Sequence, residues 1–310
     1  MQGGVARLLD VAGVMSVPRQ VLPGRFYMIT RRCTQRQFLL RPDAATNNAF
    51  TYCLVEAAQR THVEVLLTCA MSNHHHTIIF DREGRYPEFV EHFHKMFARS
   101  QNALRGRWEN FWSSEQVCVV MLVGREDVMD KLVYTAMNPV KDHLVDRSHH
   151  WPGVNGLTAL LTGRALRAER PRHFFRTEGN MPGTVELRLR IPPELGVEAE
   201  MLEELRERVE RAESTLAAER KKTGQRVFGR RAVLDQSWQA RPVGTEPRRD
   251  LRPRVAARSK WSRIEALMRN KLFVKQYESA RCAWLSGMLT VFPAGTYWLR
   301  RFANVFVASS

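Results

Sequence analysis

Two hydrophobic periods alternate along the first half of the chain, and together they predict a mixed fold. Phe26-Tyr27-Met28-Ile29-Thr30 is a short aromatic and β-branched run, the signature of a strand. Asp43 stands where a helix needs an N-cap, and Phe50, Cys53, Leu54 and Ala57 then recur at helical spacing up to about Thr61. Residues 63–70 and 74–80 are two further strands joined by a tight turn around Met71-Ser72-Asn73. From Tyr86 to about Leu104, the residues Phe89, Phe93, Met96 and Phe97 fall on the stripe of a second helix. Residues 106–111 form a loop with Trp108 and Trp112 around it, and residues 117–123 an apolar fourth strand. Gly124 leads into a third helix over residues 127–137, with Val128, Leu132 and Thr135 near one stripe.

The order β-α-β-β-α-β-α is that of a ferredoxin-like α+β sheet, βαββαβ, with one added helix packed against it. RNA-recognition domains use the same order, so the fold alone does not decide function. The expected organisation is a loose lead-in over residues 1–22, a sheet domain over 23–155, a Gly- and Arg-punctuated linker over 156–195 and a basic, mainly helical region over 196–310. Within the last of these, residues 197–222 predict a long charged helix with a thin seam of Met201, Leu202, Leu205 and Val209, which serves either as a solvated strut or as the seam of a homodimer. Gly229-Arg230-Arg231 and Pro247-Arg248-Arg249 are basic stretches, residues 259–285 a helix or helix pair, and residues 292–297 a turn before a final apolar segment.

Charge narrows the partners. The net charge is +16 with a pI near 10.3, and a polycation gains sequence-independent affinity by displacing the counterions of a phosphate chain. Residues 1–150 carry 18 Lys and Arg against 15 Asp and Glu, whereas residues 151–310 carry 30 against 17, so bulk electrostatic grip and chemistry belong to different segments. Five scattered cysteines without a CxxC pair argue for free buried thiols in a reducing cytoplasm rather than a disulfide or zinc framework. No apolar run has the length of a membrane span, and no membrane partner is expected.

The candidate chemistry centres on Asn73-His74-His75-His76. Side chains alternate on a strand, so His74 and His76 share one face and His75 points to the other. Tyr134 and Asn138 are four residues apart on the third helix and so share a face, and Pro139 disfavours regular helix at Asn138. Packed over the histidines, this face would add an amide oxygen to two imidazoles, a neutral, thiolate-free set that suits Mg²⁺ or Mn²⁺. Arg31, Arg32 and Lys141 are candidate phosphate contacts, though isolated basic residues are ordinarily solvated. Trp108 and Trp112 are expected in the core, with stacking on unpaired bases as the rival use. The pairs His92/His94 and His149/His150 receive no ligand role.

At these residues the chain resembles the single-tyrosine transposases of the HUH endonuclease superfamily, especially the REP-associated tyrosine transposases. The matching pieces are Tyr27-Met28-Ile29-Thr30-Arg31-Arg32, Asn73-His74-His75-His76, the 106–112 loop, Tyr134-Thr135-Ala136-Met137-Asn138-Pro139-Val140-Lys141 and Trp151-Pro152, spread over roughly residues 22–155. The resemblance implies that His74, His76 and Asn138 ligate the divalent metal and that Tyr134 attacks a phosphodiester of single-stranded, hairpin-forming DNA, leaving a 5′-phosphotyrosine. It also implies a bacterial, nucleoid-associated protein. His75 departs from the apolar middle residue usual in the family, Ser72 from a frequent Pro and Met28 from a frequent His. A transposase fold that binds DNA hairpins without cutting is the alternative. Replication initiators and relaxases often pair two tyrosines on this helix, and here Tyr134 stands alone; the aromatic strand motif of RNA-recognition domains is missing.

Overall fold

The computed structural model describes residues 18–176, 178–244 and 253–309. They form two compact units, one of residues 23–263 and the other of residues 18–22 with 264–309. The larger begins with β1 (Arg25–Arg32), α1 (Ala44–Thr61), β2 (Glu64–Ala70), β3 (His74–Asp81), α2 (Tyr86–Leu104), β4 (Cys118–Leu122) and α3 (Arg125–Lys141). Local chemistry sets the boundaries. The Asp43 carboxylate accepts the Thr46 N–H at 2.8 Å and caps α1, which ends at His62 in the left-handed conformation. At the close of β3, Asp81 accepts the N–H groups of Arg85 and Tyr86 at 2.8 and 2.9 Å and so turns the chain into α2. Asp127 accepts the Gly124 N–H at 2.9 Å and begins α3.

Pro139 does not stop α3. The helix continues through it to Lys141 because Ala136, Met137 and Val140 are wholly buried, and that packing outweighs the hydrogen bond that proline cannot donate.

The sheet is mainly antiparallel, in the order β2-β3-β1-β4, with β7 (Val255–Ala256) added in parallel along β4. Phe50 of α1 and Phe93 of α2 meet the His75 ring on one face, at 5.6 and 5.4 Å, and Tyr134 of α3 meets His76 on the other at 5.3 Å. No helix among the described residues is long and apolar enough to cross a membrane.

Residues expected to be linker are built into the larger unit. After α4 (Leu157–Thr162), β5 (Leu166–Glu169) and β6 (Thr184–Leu187) form a hairpin against α1. Ala168 and Val185 point inward, while Arg167 and Glu186 pair outside at 2.9 Å. The Tyr52 hydroxyl donates to the Pro182 carbonyl at 2.7 Å, and Asn48 and Gln59 donate to the carbonyls of Glu169 and Glu186. The long helix α5 (Glu198–Thr223) buries Met201, Leu205 and Val209 and packs on α3 of its own chain, so the seam is occupied within the chain. Arg208 reaches Glu126 at 2.7 Å and Asp130 at 3.2 Å, while buried Glu213 accepts the Ser148 N–H at 2.7 Å. Gly229-Arg230-Arg231 opens the short helix α6 (Arg230–Asp235). Residues 1–17 of the lead-in, and Pro247-Arg248-Arg249, lie outside the described residues.

The smaller unit holds most of α7 (Lys260–Leu285), a single helix, followed by β8 (Val291–Phe292), α8 (Trp298–Ala303) and β9 (Phe306–Val307). Phe292 is fully buried against Tyr277 and Trp284, and Val21 donates its N–H to Gly295. Cys33, Cys53 and Cys69 are buried free thiols; Cys118 is half-buried and Cys282 exposed, which differs from the expectation of burial for all five.

One close approach secures the end of β2. The Trp151 indole donates to the Ala70 carbonyl at 2.9 Å, and Gly153 passes so near that an added Cβ would lie 2.4 Å from that indole nitrogen and 2.9 Å from that oxygen. Gly153→Ala should therefore cost about 1–3 kcal/mol, the usual range for overpacking, measured by denaturant unfolding; wild-type stability would contradict the packing described.

Candidate active site

The site is laid out by β3. Its alternation sends His74 and His76 toward α3, with ring centres 4.9 Å apart. Thr30, directly opposite His76 in the strand register, hydrogen-bonds His76 Nδ1 at 2.7 Å, and Asn73 Oδ1 accepts from His74 Nδ1 at the same distance. Both rings are thereby oriented through Nδ1, which leaves Nε2 of each free of these bonds. Burial, aided by the charges of Arg32 and Arg36, pushes the His74 imidazole down to about 4. Burial first, then His74, His75, Arg32 and Lys131, holds His76 well below its ordinary range. Two neutral imidazoles result at neutral pH, the form that ligates metals.

Tyr134 packs its ring edge-on to His76. Burial and the nearby Asp142 carboxylate raise its hydroxyl above the ordinary phenol value; a hydrogen bond from the Asn138 amide and the charge of Arg32 act the other way. The ammonium groups of Lys131 and Lys141 lie 5.3 and 4.9 Å from the phenol ring. Lys131, Tyr134, Asn138 and Lys141 form one stripe of α3, so Lys131 was legible from helical spacing although the motif omits it. Thr30 and Arg36 had no such signal: the first needs the strand register, the second the turn that follows β1.

The three candidate phosphate contacts separate. Arg32 and Lys141 are at the site, whereas Arg31 is on the opposite face, its guanidinium 5.9 Å from the Trp112 ring. Adjacent strand residues must diverge in this way. The two tryptophans also separate. Trp112 is buried and donates its indole N–H to the His94 carbonyl at 3.0 Å, but Trp108 is 98% exposed, against the expectation of core packing for both.

On the far face, His75 Nε2 hydrogen-bonds His94 Nε2 at 2.8 Å, and Thr77 contacts His75 Nδ1 at 3.1 Å. Phe50, Phe93 and Trp112 surround the pair. His94 is thus a core residue, while His92 pairs with Glu56. His149 and His150 lie exposed in a short turn, His150 on Asp146 at 2.6 Å.

Among the described residues, no group of three or more His, Cys, Asp or Glu side chains could hold a metal ion. His74 and His76 offer two neutral imidazoles, and Asn138, whose amide N–H is engaged by Tyr134, would bring a carboxamide oxygen as a third donor. That set fits a hard or borderline divalent ion and excludes a thiolate zinc centre.

The buried imidazoles also set a response to acid. Their protonation is favourable in the unfolded chain near the ordinary value of 6.5 but suppressed in the native state, to about 4 for His74. The unfolded state therefore binds more protons in that window, and stability present above about pH 6.5 is lost as pH falls toward 4. Replacing both His75 and His94 by Phe should make the acid slope of the denaturant midpoint shallower; an unchanged slope would show that the pair protonates as in the unfolded chain.

No family model and no curated protein sequence matches this chain. Among solved structures, it is similar to a REP-associated tyrosine transposase bound to a REP hairpin, at 15% identity and a TM-score of 0.41, over 54% of this chain and 93% of that one. It is also similar to a candidate transposase from Deinococcus radiodurans R1, at 15% identity and a TM-score of 0.29, over 38% of this chain and 93% of that one.

Proposed function

We propose that the chain is a transposase of the single-tyrosine HUH type, a metal-dependent endonuclease and strand transferase for single-stranded, hairpin-forming DNA. The observation that carries this reading is the seating of Tyr134 against His76, with His74 beside it, Asn138 on its hydroxyl and Arg32, Lys131 and Lys141 around it. The ferredoxin-like reading of the sheet rests on the order β2-β3-β1-β4 with every neighbouring pair antiparallel.

The Tyr134 oxygen attacks the phosphorus of a phosphodiester. The new bond is a phosphotyrosine ester on the 5′ side, the P–O3′ bond breaks, and the phenol proton is released as the departing 3′-oxygen takes one up. The ester retains the energy of the broken linkage, so a 3′-hydroxyl can reverse the attack and join strands without an external energy source. His74, His76 and Asn138 would hold Mg²⁺ or Mn²⁺, which when bound supplies Lewis-acid polarisation of a phosphate oxygen. Because burial keeps both imidazoles neutral, that positive charge is not diminished by its protein ligands. Asn138 orients the phenol, and Arg32, Lys131 and Lys141 offset the negative charge of the phosphate at the moment of transfer.

Labelled single-stranded hairpin DNA, incubated with the protein and Mg²⁺ or Mn²⁺ and run on a denaturing gel, should give a covalent adduct. The adduct should vanish with chelator and in Tyr134→Phe, while Tyr134→Phe retains DNA affinity. Cleavage that survives in Tyr134→Phe would overturn the nucleophile assignment, and tight binding without any adduct would favour a non-cutting hairpin-binding protein.

A further inference from the structure

Trp108 is left without a role by the fold and the site described above. An indole 98% exposed on a loop leaves a large apolar surface in water, and nothing in the fold requires it. The loop itself is not loose. Gly106, at φ +60°, makes the left-handed turn that presents Arg107 and Trp108, and the Arg107 N–H returns to the Asn102 carbonyl at 2.8 Å. Arg105 and Arg107 hold their guanidinium groups 5.4 and 5.9 Å from the Trp238 ring, and Arg107 also donates to Gln37 at 3.3 Å.

The same loop is fastened to the backbone that carries the histidines. Thr34 donates its N–H to Phe111 at 2.9 Å and Ser113 donates to Arg32 at 2.9 Å, on either side of the bridge between Cys33 and Trp112. Cys33 in turn donates to the Asn73 carbonyl at 2.8 Å, and the Asn73 side chain donates to the Arg36 carbonyl at 3.3 Å while orienting His74. Trp108 therefore projects from a loop fastened to the backbone that carries the histidines, next in sequence to Arg107.

We infer that Trp108 is a stacking platform for an unpaired base of the nucleic acid strand delivered to Tyr134, with Arg107 on an adjoining phosphate. This rests on the proposed function for the identity of the strand. An exposed aromatic face next in sequence to an arginine matches single-stranded nucleic acid, in which every base offers a π-face and every linkage an anion. A paired base in a continuous duplex is already stacked on both sides and offers no face to the indole.

Binding is measured in the full-length Tyr134→Phe protein, so that chemistry does not enter, with labelled single-stranded, hairpin and fully paired oligonucleotides. Adding Trp108→Ala should weaken the single-stranded and hairpin complexes roughly tenfold and leave the duplex complex unchanged, while Trp108→Phe retains most of the affinity. A series of oligonucleotides with one abasic position each should contain a position that weakens binding when Trp108 is present and adds nothing to Trp108→Ala. Equal affinity of Trp108→Ala and its parent, an equal loss on duplex, or a loss shared by every abasic position would overturn the inference. Thermal melting checks that Trp108→Ala is folded, as its exposure requires. Failure of the adduct assay removes Tyr134 as nucleophile without touching this result, and absence of single-strand binding in the parent sinks both.

Discussion

A strand has only two faces, and β3 must present histidine on both. A slip of one residue would bring His75 to α3 and send His74 and His76 into the aromatic core, so the site depends on what holds this register. The buried His75–His94 hydrogen bond does so from the opposite side of the sheet, inside a cage of Phe50, Phe93 and Trp112. An apolar residue at position 75 would bury as well but would carry no directional bond. Thr30 completes the constraint from the neighbouring strand by engaging His76 in register.

The second support is α3, which carries Tyr134 and Asn138 across the same face. Its outer side is covered by α5, where Arg208 bridges Glu126 and Asp130 and the apolar seam of Met201, Leu205 and Val209 is buried. Ion pairs of this exposure contribute little individually; the seam supplies the burial. The cations around Tyr134 come from three places, β1, the first half of α3 and its last turn, so no single element carries the electrostatics of the site.

The sheet, its helices and the facing of His74, His76, Tyr134 and Asn138 were legible because each rests on a strong period in the chain. Period two also distinguishes Arg32 from Arg31, although a motif that quotes both conceals it. Where the pattern was short, it failed. β5 and β6 are four residues each among arginines, with a single buried side chain apiece, too few to separate from a linker. β7 is two residues long and is a strand only because β4 lies beside it. The α5 seam was visible, but an apolar stripe does not say whether its cover is the same chain or another. Trp108 and Trp112 sit in a loop without any period, and only the bridge from Cys33 to Trp112 decides which is inside.

Both outer strands of the principal sheet are closed by residues that come much later in the chain. Residues 154–156 return to β2, donating or accepting at Ala70 and Thr68, and Val255–Ala256 runs along β4. During synthesis, then, the four-stranded sheet built around β3 emerges with two open edges, and the second stays open until more than a hundred further residues have been made. Unpaired edges are templates for joining other chains. A nascent or truncated protein ending before β7 would hold the complete histidine and tyrosine set yet leave the flank of β4 without this parallel partner.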